Sequence, residues 1–310
     1  MRRHLSHTLA LAAALLVATA ATASQDTIKK GFNVADGGTL RLDSAYGDVR
    51  IVTGGDGVAV EIIRKASGRR GEELMREHKI EFRQSGNDVI IDGDRDDDDR
   101  HWSNWLRFDS DDYEVQWNVR IPKTYNVEVS TSGGGIETDD IGGTLEARTS
   151  GGSIKTGRLL GNATLKTSGG GIRIGGGTGD IEAKTSGGSI TLARVGGKVL
   201  ARTSGGGIRI DDAMGSVDAS TSGGSITARL SRQPDGDSKL STSGGSVNVS
   251  VASGLNFELD ASASGGGVRS DIPVLVQGTQ DDDTLRGRVG SGGPKLVLRT
   301  SGGGIRVKPL

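Results

Sequence analysis

The sequence predicts an all-β protein, a single-stranded parallel β-helix (a β-solenoid) of 18-residue coils. A β-rich cap with one short helix precedes the coils. Three observations carry this. The tetrapeptide Thr-Ser-Gly-Gly, followed by Gly or Ser and an aliphatic residue, starts at 131, 149, 167, 185, 203 and 221, always 18 residues apart, and returns near 242, 263 and 300. Aliphatic residues hold fixed columns in these units, such as Ile136, Ile154, Ile172, Ile190, Ile208 and Ile226. Nearly every aromatic residue precedes residue 130, Phe257 being the exception. A core without rings that repeats at a fixed period is a stack of identical thin units.

Residues 1–23 read as a secretory signal peptide. Arg2 and Arg3 open it, "LALAAALLVATA" is too short an apolar run to span a bilayer, and Ala21-Thr22-Ala23 offers a cleavage site. An exported chain is therefore expected, in the periplasm or at the cell surface or beyond. The sequence has no cysteine, hence no disulfide framework and no lipidated cysteine. Loss of Arg2 and Arg3 with the leader takes the basic count from 38 to 36 against 39 acidic residues, a net charge of −3. That is not the charge of a nucleic-acid binder, no later run is long enough for a transmembrane segment, and a monomer is expected.

Residues 24–130 read as the capping region, the first coils enlarged by a helix. "LRLDSAYGDVRIVT" and "VAVEIIRKA" alternate as strands do. "RRGEELMREHK" (69–79) is helix-prone, with Leu74 and Met75 expected inward. "IEFRQSGNDVIIDG" returns to strand through a Ser-Gly-Asn-Asp turn. An acidic-aromatic loop follows at 92–117. Asp92, Asp94 and Asp96–Asp99 repel one another, while Trp102, Trp105 and Phe108 are spaced three apart. This loop is a candidate for partner or carbohydrate binding, with Ca²⁺ on the aspartates the one cofactor worth weighing. Otherwise no cofactor is expected. Against that stands a plainer reading, in which the rings close the solenoid mouth.

Residues 131–310 read as the repeat region. Leu145, Ala147 and Thr149 share one face of a strand, and Ile154 resumes five residues later, so the chain bends between them. The two glycines sit at that bend, and glycine reaches positive φ without steric cost, so positive φ is the expected reason for them. Thr131, Thr149, Thr167, Thr185, Thr203 and Thr221 are expected to stack as a hydroxyl ladder. "RQPDGDS" (232–238) is expected to bulge from a corner. Arg306, Lys308 and Pro309 are expected to blunt the free end of the rod. A Gly/Ser linker would not hold aliphatic columns in register, and calcium-binding nonapeptide rolls repeat every nine residues.

The opening "GTLRLDSAYGDVRI" (38–51), the segment "VRIPKTYNVEVST" (119–131), the Thr-Ser-Gly-Gly corners and the closing "VGSGGPKLVLRTSGGGIRV" (289–307) resemble a bacterial family of unknown function, named as candidate adhesins and built of β-strand repeats. The resemblance covers essentially the whole mature chain and implies a right-handed β-helix. It implies little about function, beyond adhesin-like binding or a link to envelope stress.

The sequence offers little catalytic chemistry. Two histidines, His78 and His101, remain after the leader. Asp139-Asp140 and Asp211-Asp212 are four coils apart, roughly 19 Å, too far to cooperate as a glycosidase pair. Surface binding is the stronger reading. Arg148, Lys166, Lys184 and Arg202 form one outward column, recurring at Arg299, with Glu146 and Glu182 beside it to offset the charge. The expected role is a non-enzymatic binding or structural module of the envelope whose partner is an envelope polysaccharide or an envelope protein. An accessory or sensor in envelope-stress signalling and a polysaccharide-degrading β-helix enzyme are the alternatives.

Overall fold

A computed structural model describes residues 24–93, 112–276 and 281–310. They form two long sheets and one helix, with no closed barrel. Sheet I has thirteen strands and sheet II fourteen. Each coil contributes one short strand to each sheet. The strand Leu145–Thr149 lies in sheet II, turns through Ser150–Ser153, and continues as Ile154–Leu159 in sheet I. A second corner returns the chain to sheet II at Ala163–Thr167. From Asn126 to Leu230 these strands pair in parallel with their equivalents 18 residues away, Ile154 against Ile136 and Ile172, Leu145 against Val127 and Ala163. The period thus becomes in-register stacking, and like residues lie over like.

Inward positions follow the period-2 alternation. Ile136, Ile154, Ile172, Ile190, Ile208 and Ile226 are all at most 2% exposed. The partner column from sheet II narrows to alanine at Ala147, Ala183, Ala201 and Ala219, each fully buried. The regular coils leave no room for rings, so the largest fully buried side chains, Trp117 and Tyr125, precede residue 131, and the buried phenyl ring of Phe257 lies on an outer strand at the C-terminal end. The insertion before Ser238 leaves at the second corner, as expected, and the stack recovers because the buried Ser238 hydroxyl accepts the Val217 amide at 3.1 Å.

The corner glycines have a different cause from the one expected. None of the Thr-Ser-Gly-Gly glycines has positive φ. At the second glycine of each of these corners the backbones stack so closely that a side chain has no space. A Cβ on Gly188 would fall 2.2 Å from the Gly170 carbonyl oxygen, and one on Gly206 equally close to that of Gly188. The threonine column is also satisfied differently. Each hydroxyl donates to a glycine carbonyl of the neighbouring coil, Thr167 to Gly152, Thr185 to Gly170 and Thr203 to Gly188, all at 2.7 Å. Several also accept an amide of their own corner, as Thr185 does from Gly188. The ladder therefore runs hydroxyl to carbonyl and supplies partners for buried backbone groups.

Both ends are threaded out of sequence order. The first coil, Thr39–Ser44 with Asp48–Thr53, lies between the coil of Asn126–Thr131 and Ile136–Thr138 and the outer pair Asp88–Gly93 and Tyr113–Ile121. Antiparallel strands finish this end, Val58–Ala66 then Ser24–Phe32 in sheet I and Glu81–Ser85 in sheet II. The helix Gly68–Glu77 packs on Val58–Ala66 and Tyr113–Ile121. Its buried residue is Gly71, while Leu74 and Met75 are half-buried, less inward than expected.

The C-terminal end repeats the device. Lys295–Thr300 and Ile305–Pro309 insert between the coil of Ser238–Thr242 and Val247–Val251 and the outer strands Phe257–Ala263 and Val268–Ser270. Arg306, Lys308 and Pro309 are thus not at the free end, because their strand is paired on both sides. The exposed edges are instead Val268–Ser270 and the two-residue strand Leu275–Val276. Very short edges limit further strand addition.

Candidate interaction surfaces

Because the stacked columns fill the inside, chemistry open to a partner lies on the outer faces. On sheet II, Arg148, Lys166, Lys184 and Arg202 are brought together in exact register. Arg299 shares the column but lies beyond Ser220 and Ser241. The adjacent column supplies carboxylates. Arg148 pairs with Glu146, Lys184 with Glu182 at 2.6 Å, Lys166 with Glu182 at 3.6 Å and Arg202 with Asp218 at 3.3 Å. Lys184, and more weakly Lys166, hold the Glu182 carboxyl below its usual range. The strip is therefore a ladder of compensated charge.

Trp102, Trp105, Phe108 and the run Asp94–Asp99 lie outside the described residues. Among the described residues no group of three or more histidine, cysteine or acidic side chains is placed to hold a metal ion. The two ends of the segment are firmly held. The buried His78 ring bridges Gly93 O at 2.8 Å and Tyr113 Oη at 2.7 Å. A carbonyl can only accept, so Nε2 carries the proton and Nδ1 accepts from the phenol. Burial lowers the His78 pKa and pushes the Tyr113 phenol up to about 12. Tyr46, His78, Tyr113 and Trp117 pack edge to face around this point. The Trp117 indole donates to Tyr46 O at 2.8 Å. His78 carries no sequence motif, and only the contact across 15 and 35 residues gives it a role.

Asp140, Asp211 and Asp212 are engaged by arginines of a neighbouring coil or of their own strand. Asp140 accepts both the Arg158 amide and its guanidinium, which hold its carboxyl below the ordinary range. Asp212 pairs with Arg194 and Asp211 with Arg209.

Sequence reasoning passed over the outer face of sheet I. The residue between the two aliphatic columns of each unit, 137, 155, 173, 191, 209 and 227, points outward, and strand pairing extends this line across all thirteen strands. Lys29, Arg50, Lys155 and Arg173 belong to it, as do Arg209, Arg306 and Arg269. The signal lay in the same 18-residue period, one residue after the Ile136 column. Two open grooves, of about 550 and 380 Å³, lie on this face and meet at Arg50 and Asn118.

These features define a class: a two-sheet β-repeat protein with a packed interior and two long, regularly patterned polar faces. Residues 38–308 match the model of the Toastrack DUF4097 family, and the chain belongs to that family. No curated protein matches the chain. Among solved structures, a candidate adhesin from Bacteroides fragilis NCTC 9343 is 13% identical, with 93% of this chain and 98% of that one covered and a TM-score of 0.39. A candidate cell adhesion protein from Clostridium sporogenes ATCC 15579 is 10% identical, covering 93% and 100%, at a TM-score of 0.24. A candidate lipid-binding protein from Parabacteroides distasonis ATCC 8503 is also 10% identical, covering 92% and 97%, at 0.25. Overlays this loose transfer no function. Among the described residues no helix is long and apolar enough to cross a membrane.

Proposed function

We propose that the chain is an exported, non-enzymatic binding or structural module of the bacterial envelope that works through the outer faces of its sheets. The observation that carries this reading is the division of labour along each strand. Inward positions are consumed by aliphatic and threonine stacking, while outward ones repeat polar groups in register about every 4.8 Å. Such a surface suits an extended ligand that meets the same group again and again. The N-terminal 23 residues supply the export signal in this reading, and the coil is taken as right-handed, as the family resemblance implies.

The test has two arms. Cell fractionation should recover the protein outside the cytoplasm and shortened at its N-terminus. Immobilised mature chain should then retain an envelope component, on a glycan array or in a pull-down from envelope extract. A full-length cytoplasmic protein, or an inert surface in both binding assays, would refute the proposal.

A further inference from the structure

We infer that sheet I, not sheet II, carries the ligand strip, and that its ligand is an acidic polysaccharide lying along the stack axis. This rests on the envelope-module reading above. The outward column of sheet I presents one side chain per strand across thirteen strands. Seven are cations, and the two carboxylates among them are Glu61 and Glu137. The remaining positions are Asn118, Thr191, Thr227 and Asn248, all neutral hydrogen-bonding groups. Some of the cations are already paired, Lys29 with Glu61, Lys155 with Glu137, Arg209 with Asp211 and Arg306 with Asp271. Among the described residues, Arg50, Arg173 and Arg269 are exposed and make no ion pair within 4.0 Å, with Glu137 opposite Arg50 in the register.

The flanks separate the two sheets. Beside the cations of sheet II stand Glu128, Glu146, Glu182 and Asp218. Beside the sheet I column, on the corner side, stand Gly135, Ser153, Gly171, Ser189, Gly207 and Ser225, all small and uncharged. On the other side Gly157, Gly175 and Ala193 keep the middle of the face equally low. Arg173 therefore rises from a smooth floor, and a chain-like ligand can reach it without displacing a resident carboxylate, whereas Lys155 and Arg209 would exchange Glu137 and Asp211 for it. The two grooves at Arg50 and Asn118 continue this line toward Lys29 and Arg120.

The geometry also selects among polyanions. A single file of cations interleaved with amides and hydroxyls matches a linear chain whose anionic groups alternate with hydroxyls, which is an acidic glycan. An anionic bilayer is gripped by a broad basic surface with apolar anchors. Single-stranded nucleic acid is gripped through aromatic stacking. This column has neither anchor nor ring.

The experiment measures binding of the mature full-length chain to polygalacturonate at low and physiological salt. Neutral dextran, phosphatidylglycerol vesicles and duplex DNA serve as comparison probes. An exposed charge pair is worth up to a few-fold in affinity. Reversing two cations removes two attractions and adds two repulsions, so Arg173→Glu with Arg209→Glu should weaken polygalacturonate binding about ten-fold or more. Lys166→Glu with Lys184→Glu on sheet II should change it less than about two-fold. The pair Arg173→Gln and Arg209→Gln keeps the test valid should charge reversal disturb folding, and it should give a smaller loss in the same direction.

Equal effects from the two sheets, no effect from sheet I, or a preference for vesicles or DNA over the glycan would overturn the inference. If polygalacturonate is not bound while an envelope component is still retained, the strip fails and the module reading stands. If nothing from the envelope is retained, the module reading itself fails.

Discussion

Replacing Gly188 by alanine tests why the corners are glycine. The added Cβ would meet the Gly170 carbonyl oxygen at 2.2 Å and the Gly171 amide nitrogen at 2.4 Å. Ordinary contact requires the corner to lift by roughly 1 Å. That movement strains two bonds between coils, Gly187 N to Ser168 O at 2.9 Å and Thr185 Oγ1 to Gly170 O at 2.7 Å. Each is worth about 1 kcal/mol net, and overpacking adds about 1–3 kcal/mol. A loss of about 3–5 kcal/mol follows, or a fall in Tm on the order of 10 °C for a chain of this size. The control is Gly171→Ser. Serine already fills that column at Ser153 and Ser189, and Ser225 and Ser246 stack directly, with the Ser246 amide on the Ser225 hydroxyl at 3.0 Å. This substitution should cost less than about 1 kcal/mol. Urea unfolding followed by circular dichroism compares the two. If Gly188→Ala is as mild as Gly171→Ser, close coil stacking is not what excludes side chains from the corner.

Thr185→Val keeps the shape of the column but leaves the Gly170 carbonyl without its donor, so a loss of about 1–3 kcal/mol is expected. Thr185→Ser should recover most of it, and chemical denaturation reads both. His78 gives a pH signature. Its folded pKa lies below the ordinary 6.5, chiefly through desolvation, with Arg64 contributing. As pH falls below about 6.5 the unfolded chain takes up a proton that the folded chain refuses. Stability should therefore decline with falling pH by about 1.4 kcal/mol per unit until the folded pKa is reached. His78→Gln should flatten that slope between pH 6.5 and 5, and an unchanged slope would mean that other groups set it. Tyr113, with its phenol at about 12, should ionise late in an ultraviolet titration, and Tyr113→Phe should remove that late step.

Much of the solenoid was legible because its information is local and periodic. A residue every 18 positions, alternation of two within each strand, and threonine next to two glycines define a coil whatever lies above or below. The Ile136-to-Ile226 column and the Arg148-to-Arg202 column both emerged in register from that arithmetic. The same arithmetic held the sheet I cations at Lys155, Arg173 and Arg209, one column over. It also placed Glu146 and Glu182 beside Arg148 and Lys184, and both pairs form; what it could not supply was compensation from one coil to the next. Asp218 meets Arg202 from the neighbouring coil, 16 residues later, and such a pair depends on rotamers that no repeat pattern encodes.

By itself, then, the sequence determined the strand period, the inward columns and the corners, since these follow from alternation and from residues meeting their own equivalents. Tertiary structure decided the order of the coils at both ends, the reason for the corner glycines and which outward cations meet a carboxylate. A strand's own residues state which face is apolar but not which strand lies beside it. Thr39–Ser44 could as readily have ended the stack as entered it. Only the assembled sheets, competing for the same backbone hydrogen bonds, fix that choice.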